Sequence, residues 1–323
     1  MSEVLTVNNL KLYYFTRKGV VKALDDVSFS LKEGETLGLV GESGCGKTTL
    51  GMGLLRMPSP PGKIVDGEII IDNENIIHLK ENELRKRIRW NKISMIFQGA
   101  MNSLTPVYSI KKQMLETLLN HREMEEEQAL EIIKKYINYV GLSEDVLKRY
   151  PHELSGGMKQ RVVIATALFL EPKIVIADEP TTALDVVVQA QIINLLKKLK
   201  HDLNLSFIFI THDLATEAEV ADRIMVMYAG KIAEIGTNNQ IYGKQGPSHP
   251  YTKGLLGATP KLREKVEELA FIPGTPPDLL NPPTGCRFHE RCPVAFDKCI
   301  LNEPPLKEIE PEHFVACWRC YDE

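Results

Sequence analysis

The first forty residues alternate short apolar runs with clusters of turn-forming residues. Apolar stretches at 4–10, 27–31 and 36–40 are separated by turn signals at 17–19 and 32–34. Short apolar runs bounded by glycine and charged residues are typical of antiparallel β structure. The pattern therefore predicts an antiparallel β layer that leads into a buried strand at 36–40.

The hydrophobic period changes between residues 99 and 165. Apolar positions there recur three or four residues apart, as in Leu130, Ile133, Ile137 and Val140. This is the spacing of one buried face of a helix. The segment is therefore predicted to be an inserted helical subdomain.

Strands and helices alternate after this insertion. Two strongly apolar runs, at 174–177 and 206–211, flank an amphipathic segment at about 186–201, and further apolar runs follow at 224–227 and 231–235. This alternation favours a mostly parallel sheet with helices packed on it, so we expect an α/β fold.

The composition shifts to proline, glycine and cysteine beyond about residue 243. We therefore expect a first domain over 1–243 and a small loop-rich extension over 244–323. A chain of 323 residues with 43% apolar content is long enough for two domains.

Charge and hydropathy limit the kinds of partner. The net charge of −4 gives no indication of a nucleic-acid-binding surface. Residues 1–4 lack the basic start and apolar core of a signal peptide. The longest apolar stretch, at 162–170, is too short to cross a bilayer. Any membrane role is therefore expected to depend on a partner.

A glycine-rich segment follows the strand at 36–40 and precedes an apolar run at 50–55. Its pattern, Gly-x4-Gly-Lys-Thr, is typical of a phosphate-binding loop, and the alternative is a plain glycine-rich turn. Glycines let backbone N–H groups approach phosphate oxygens, and the helix that follows adds further donors. Lys47 is expected to reach the β- and γ-phosphates of ATP, and Thr48 to take one Mg²⁺ position. The predicted nucleotide-binding residues are Gly41, Ser43, Gly44, Cys45, Gly46, Lys47, Thr48 and Thr49.

Two acidic residues follow the apolar run at 174–177. In phosphate-loop enzymes a residue placed like Asp178 holds Mg²⁺ directly or through water. Glu179, whose side chain leaves the strand in the other direction, is then able to polarise an attacking water. The alternative is an ordinary acidic pair at the end of a strand.

The run Ser155-Gly156-Gly157 precedes a helical pattern. On its own it is typical of a helix N-cap and turn. Such a helix start also presents free N–H groups, which form a second anion site. One chain hardly needs two sites for a γ-phosphate, unless one of them serves the nucleotide of a partner chain.

Together these motifs resemble those of ABC-type ATPases over residues 5 to about 240. The segment 154–161 is similar to the signature sequence of that family, and the other motifs lie at the expected intervals. The resemblance implies a P-loop NTPase fold of the α/β class. It also implies four further roles. Gln98 is expected to be the Q-loop glutamine that senses Mg²⁺ and the attacking water, and Asp185 to belong to the D-loop at the dimer interface. His212 is expected to be the switch histidine, and Tyr14 the aromatic that stacks on adenine, with Tyr13 as the other candidate.

The resemblance implies a mechanism as well. Two such domains dock head to tail, and each ATP lies between one chain's phosphate loop and the other chain's signature sequence. Binding closes the dimer, and hydrolysis, with Glu179 as the base and Lys47 and Mg²⁺ stabilising charge, reopens it. One departure concerns coupling to a partner: Gly99 and Ala100 follow Gln98 where related importers carry Asp-Pro.

Three segments indicate a particular branch of the family. Residues 249–256 and 272–277 resemble the C-terminal extension of oligopeptide and dipeptide importer ATPases, and 95–106 resembles the segment that touches a permease. The resemblance implies a protein at the cytoplasmic face of the membrane. Its expected partners are two transmembrane permease subunits, a second ATPase subunit that is a paralogue or a copy, and indirectly an extracellular substrate-binding protein, with no nucleic acid.

Other readings of the same motifs remain open. Importers of a nickel complex or an oligosaccharide are alternatives within the family. A soluble ABC ATPase of DNA repair or translation and an iron–sulfur redox protein are alternatives outside it. The chain has no long coiled coil, second ATPase domain or flavin motif that would favour either of the latter two.

Five of the six cysteines lie beyond residue 285, and the irregular spacing of the first four suits a cluster held by loops. The resemblance to dipeptide-importer ATPases implies a [4Fe–4S] cluster. Zinc, favoured by the single Cys-x2-Cys pair, and unliganded or disulfide-bonded cysteines are the alternatives. The predicted ligands are Cys286, Cys292, Cys299 and Cys317, with Cys320 as the alternative fourth.

Overall fold

The computed structural model describes residues 2–258 and 271–321. The strands are β1 (Glu3–Thr16), β2 (Gly19–Lys32), β3 (Thr36–Val40), β4 (Gly62–Ile71), β5 (Glu74–Asn75), β6 (Ile93–Ile96), β7 (Ile174–Asp178), β8 (Ser206–Ile210), β9 (Arg223–Tyr228), β10 (Lys231–Thr237), β11 (Lys307–Glu310) and β12 (His313–Val315). The helices are α1 (Lys47–Leu54), α2 (Glu81–Glu83), α3 (Ile110–His121), α4 (Glu126–Tyr139), α5 (Gly156–Leu168), α6 (Val186–Leu203), α7 (Leu214–Val220), α8 (Asn238–Tyr242), α9 (Pro250–Gly257) and α10 (Asp297–Leu301).

The chain divides into two compact units, and neither is continuous in sequence. The first consists of Met1–Val4, Lys32–Gly34 and Ile71–Phe209, and the second of Leu5–Leu31, Glu35–Ile70 and Ile210–Glu323. This division follows packing rather than sequence order. The domain boundary expected at 243/244 stays a prediction.

In the first unit a parallel pair of strands carries the acidic residues. β6 and β7 are parallel, with Ile93 opposite Ile174, and every residue of both strands is buried. Strands buried on both faces read as continuous apolar runs, which explains the pattern seen in the sequence. The helices α3, α4 and α5 lie within or close to the predicted helical segment 99–165. The buried positions of α4 include Ile133 and Ile137, as the helical spacing predicted.

In the second unit β3 is the strand that leads into the phosphate loop. It pairs in parallel with β9, and β9 and β10 form an antiparallel hairpin through Ala229 and Gly230. Separately, β1 lies between β2 and β4 in another sheet, which corresponds to the antiparallel layer expected from the first forty residues. All five residues of β3 are buried, so this strand is a rigid support for the loop that follows it.

The C-terminal extension shares the sheet of the second unit. β12 pairs antiparallel with β10, with Glu234 opposite Val315, and β11 pairs with β12. The fully buried Glu234 carboxylate accepts a hydrogen bond from the Ser248 N–H at 2.7 Å, and one of its oxygens lies 2.8 Å from His313 Nε2. These bonds hold the extension at two places along its length.

None of the helices in residues 2–258 and 271–321 combines the length and the apolar character needed to cross a membrane.

Candidate nucleotide site and cysteine cavity

The phosphate loop connects β3 to α1 and requires glycine at two positions. Gly41 has φ 148° and Gly46 has φ 111°, which side chains disfavour. A Cβ on Gly41 would lie 2.2 Å from the Met227 carbonyl oxygen, and one on Gly46 2.7 Å from that of Ala23. The loop therefore packs its backbone directly against neighbouring backbone, and glycine alone fits.

Lys47 begins α1 and folds back over the loop. Its ammonium group donates hydrogen bonds to the carbonyl oxygens of Gly41 at 2.6 Å and Glu42 at 3.1 Å. Ser43 and Thr48 are exposed. A helix N-terminus with exposed hydroxyls and a lysine above it is the arrangement that binds phosphate. Burial raises the pKa of the neighbouring Cys45 thiol, so this cysteine stays neutral.

The two candidate adenine-stacking residues lie differently. The Tyr13 hydroxyl donates to Asp25 at 2.6 Å, and burial together with this carboxylate raises its pKa. The Tyr14 hydroxyl lies 3.5 Å from Thr49 Oγ1, at the first turn of α1. Tyr14 as the adenine-stacking residue stays a prediction. The predicted switch histidine, His212, is exposed just before α7 in the same unit.

In the first unit the structure brings Gln98 and Glu179 together. Asp178 ends β7 and is only 1% exposed. Glu179 follows at φ 47°, an uncommon conformation for a side-chain-bearing residue. Glu179 Oε2 accepts hydrogen bonds from Gln98 Nε2 at 2.7 Å and from Thr182 Oγ1 at 2.8 Å. These two donors fix the orientation of the carboxylate.

The predicted signature and D-loop residues are helix caps. Ser155 caps α5 by accepting from the Met158 N–H, and Asp185 caps α6 by accepting from the Val188 N–H. A Cβ on Gly157 would lie 2.8 Å from a methyl group of Val188. The glycine therefore lets the start of α5 approach the start of α6. Ser155 and Gly156 are exposed and available to another molecule.

Sequence reasoning did not single out Thr182, nor two residues of the extension that contact the phosphate loop, Tyr251 and Arg291. Thr182 lies three residues after Glu179, so proximity was a usable signal. The other two lie more than 200 residues from the loop. Tyr251 falls within the segment 249–256, but no local pattern connects either residue with the phosphate loop.

Cys286, Cys292, Cys299 and Cys317 line one cavity in the extension, together with the rings of His249, Phe288 and Trp318. Cys320 is not among the lining residues, and its thiol points to the Ser248 carbonyl oxygen at 3.8 Å. The structure therefore brings the four predicted ligands together and places the fifth outside the cavity.

The cavity is apolar, and this governs the state of the thiols. Burial raises the pKa of Cys286 to about 12, and the other three cysteines add to the shift. Backbone N–H groups of Phe288 and Val294 bond to the sulfurs of Cys286 and Cys292. Burial also lowers the pKa of His249 to about 4. In this form the thiols of Cys286, Cys292 and Cys317 and the imidazole of His249 are neutral.

The expectation of a metal centre is not supported by the arrangement of side chains. Among residues 2–258 and 271–321, no group of three or more His, Cys, Asp or Glu side chains is placed to hold a metal ion. This applies to the zinc alternative and to the iron–sulfur cluster alike. What the structure does show is that the four cysteines line one cavity.

Comparison with known proteins agrees with the motifs. A family model described as "ABC transporter" matches residues 24–182, and one described as "Oligopeptide/dipeptide transporter, C-terminal region" matches residues 233–299. The dimeric structure of the bacterial ABC transporter cassette MJ0796 is 31% identical, with a TM-score of 0.63, and the match covers 72% of this chain and 98% of that one. The fold and the site thus define an ATP-binding cassette of the ABC class.

Relatives that match nearly the whole chain identify the family more specifically. The dipeptide transport ATP-binding protein DppD of Bacillus subtilis is 46% identical over 98% of this chain and 95% of its own length. The oligopeptide transport ATP-binding protein OppD of Escherichia coli is 44% identical over 99% and 94%. The chain belongs to the family of ATP-binding proteins of dipeptide and oligopeptide ABC transporters.

Proposed function

We propose that this protein hydrolyses ATP to drive the uptake of dipeptides or oligopeptides through a membrane permease. The observation that carries the proposal is the hydrogen bond of 2.7 Å from Gln98 to Glu179, next to Asp178 at the end of β7. The relatives' names support the peptide cargo over a nickel complex or an oligosaccharide.

Each site residue has a role in this proposal. Lys47 binds the β- and γ-phosphates, and Thr48, Asp178 and Gln98 hold Mg²⁺. Glu179 takes a proton from the attacking water. His212 contacts the γ-phosphate, and Tyr14 stacks on adenine. Bound Mg²⁺ would supply charge neutralisation for the transferred phosphoryl group.

The protein acts as a head-to-tail dimer in this proposal, with a copy of itself or a paralogue. The exposed Ser155 and Gly156 then meet the nucleotide of the partner, and Asp185 crosses the interface. Val186 and Val187, which follow Asp185, are 79% and 68% exposed, as expected of a surface that another chain covers. A solved structure of MJ0796 is described as a dimeric post-hydrolysis state bound to ADP and Pi, which supports this arrangement.

The permease is proposed to dock on the helical part of the first unit, at the cytoplasmic face of the membrane. A groove of about 610 Å³ there is lined by residues of α3 and by Tyr108. Val107 is 71% exposed beside it. The groove mixes apolar residues, Leu115 and Leu119, with charged ones such as Lys112 and Glu116, so it offers both kinds of contact to a short helix of a partner protein.

The hydrolysis proposal is tested with Glu179→Gln. Removing a general base lowers turnover by about 10²- to 10⁴-fold, and the amide keeps the size of the side chain. ATP binding is expected to persist, with a stable dimer in size-exclusion chromatography. Glu131→Gln, at an exposed position on α4, is the matched control and should keep normal turnover. Fast turnover by Glu179→Gln would contradict the assignment of the base.

We further propose that the cysteine cavity takes a [4Fe–4S] cluster. The proposal is supported by four thiols that line one apolar, loop-built cavity, by backbone N–H groups that donate to two of the sulfurs, and by the preference of such clusters for cysteine ligands. In the described residues the four side chains are not yet arranged around a common metal position. When bound, the cluster would cross-link the loops of the extension. The residues that line the cavity exclude water and hold the four sulfur atoms in place.

Iron and acid-labile sulfide per chain, measured after anaerobic purification, test the cluster. Cys299→Ser is expected to lose iron. Cys320→Ser should retain it, because Cys320 is not among the cavity-lining residues and contributes only a hydrogen bond to Cys317. Zinc in place of iron, or no metal in the anaerobic protein, would refute the cluster and leave the ATPase assignment untouched.

A further inference from the structure

The loop between two of the cavity cysteines also reaches the phosphate loop. Arg291 precedes Cys292, and its side chain is only 6% exposed. A guanidinium cannot lose its charge in a protein, so burial requires an acidic partner with matched geometry. Arg291 has that partner in Glu42, which lies between Gly41 and Ser43 of the phosphate loop.

The contact between Arg291 and Glu42 is bidentate. Arg291 Nη1 donates to one carboxylate oxygen of Glu42 at 2.7 Å, and Nη2 donates to the other at 2.9 Å. Nε donates to the Pro273 carbonyl oxygen at 2.7 Å, and Nη1 also reaches the Tyr228 hydroxyl at 3.1 Å. All three nitrogens of the guanidinium are thus bonded, which holds its plane in one orientation.

A second residue of the extension holds the backbone at the same position. The Glu42 N–H donates to the Tyr251 hydroxyl at 2.8 Å. Tyr251 is fully buried, and its ring packs against Tyr228 and Phe288 with centroids 4.6 and 5.3 Å apart. The extension therefore fixes both the side chain and the backbone of Glu42.

The position of Glu42 matters because Lys47 is bonded to it. The Glu42 carbonyl oxygen accepts from Lys47 Nζ, and the amides that follow Glu42 are those expected to face phosphate. A loop that is fixed before the nucleotide arrives loses less conformational entropy on binding. Arg291 is well placed to supply that preorganisation.

We propose that Arg291 is a positioning residue for ATP binding, acting through Glu42 on the phosphate loop. The role rests on the assignment of Gly41–Thr49 as the ATP site. It makes the extension part of the nucleotide-binding machinery, since the loop that carries Cys286 and Cys292 also carries the arginine. A purely structural ion pair would affect stability without a specific effect on ATP.

The test measures binding of a fluorescent ATP analogue to the full-length protein without added iron. Arg291→Ala is expected to weaken binding about tenfold, the effect of losing a buried charge-assisted hydrogen bond. Arg291→Lys, which keeps the charge but not the fork, should recover only part of the affinity. Lys307→Ala is the matched control, because Lys307 is an exposed cation of the same extension, at the start of β11. It should bind like the original protein.

Two additional variants keep the proposal testable if Arg291→Ala folds poorly. Glu42→Gln removes the charge of the acceptor, and Tyr251→Phe removes only the hydroxyl that accepts from the Glu42 N–H. Both are expected to weaken ATP binding, and Glu42→Gln should add little to the effect of Arg291→Lys, because the two act through one contact.

The outcomes separate the positioning role from the site assignment. Unchanged ATP affinity in folded Arg291→Ala and Glu42→Gln, with only a lower melting temperature, would reduce the pair to a structural contact. Failure of the original protein to bind the analogue would instead overturn the ATP site itself.

Discussion

Glu217 carries a carboxyl group that is buried beneath the strand that supports the phosphate loop. Its burial predicts a free energy of unfolding that depends on pH. It lies on α7 with no exposed surface. A Cβ on Gly38 of β3 would lie only 1.7 Å from Glu217 Oε1. Among residues 2–258 and 271–321, neither oxygen of this carboxyl has a hydrogen-bond partner. Burial raises its pKa well above the ordinary value of 4.5, with Lys47 opposing and Asp213 adding to the shift.

The sign of the effect on stability follows from this shift. The folded protein holds the Glu217 proton at pH values where the unfolded chain has released it. The free energy of unfolding therefore falls as the pH rises from about 4.5 to the folded pKa, because the folded state binds more protons there. The slope from this one group approaches about 1.4 kcal/mol per pH unit within that window.

Glu217→Gln removes the titration and keeps the shape. The variant is expected to gain stability relative to the original protein as the pH rises from 5 toward neutrality, at about 1.4 kcal/mol per pH unit. Urea denaturation of both proteins at several pH values measures the difference, in which other titrating groups cancel. Glu219→Gln, at an exposed position on the same helix, should show no such trend. Parallel stability curves for Glu217→Gln and the original protein would refute a neutral, buried carboxyl.

Three further substitutions have expected outcomes. Gly46→Ala should weaken ATP binding by about 5- to 150-fold, since its Cβ meets a carbonyl oxygen at φ 111° and strain of this kind costs about 1–3 kcal/mol. Isothermal titration calorimetry measures the affinity, and a normal value would contradict the tight loop. Thr182→Val removes one of the two hydrogen-bond donors to Glu179 and should lower kcat by about tenfold, with the affinity for ATP unchanged. A loss of ATP affinity in steady-state kinetics would argue against the orienting role of Thr182. Tyr14→Ala should weaken ATP binding about fivefold through lost stacking, and no change in the titration would exclude Tyr14 as the adenine contact.

Local motifs in the sequence are enough to predict a phosphate loop, because its conformation depends on neighbouring residues. A buried strand, glycines that only fit without a side chain and a lysine at the helix start are all encoded within residues 36–54. The strand β7 and its acidic end were likewise predictable, since an apolar run that stops at two carboxylates has few other structures. Helical spacing identified the buried face of α4 for the same reason.

Contacts between distant segments could not be predicted in this way. The bond between Arg291 and Glu42 joins residues 249 positions apart, and no periodicity links them. The composition beyond residue 243 suggested a separate module, whereas β12 pairs with β10 of the ATPase sheet. Three residues of strand are too short to produce a recognisable pattern. The orientation of Tyr13 toward Asp25 also required coordinates.

The pairing of β12 with β10 has a consequence for solubility. Without it, the backbone N–H and C=O groups along one side of β10 would be open to any passing strand, which is a known route to aggregation. The extension covers that side and leaves β11 outermost, where Lys307, Glu308 and Glu310 place charges on three of its four positions. Residues 307–315 thus protect the edge of this sheet from unwanted pairing with the strands of other molecules.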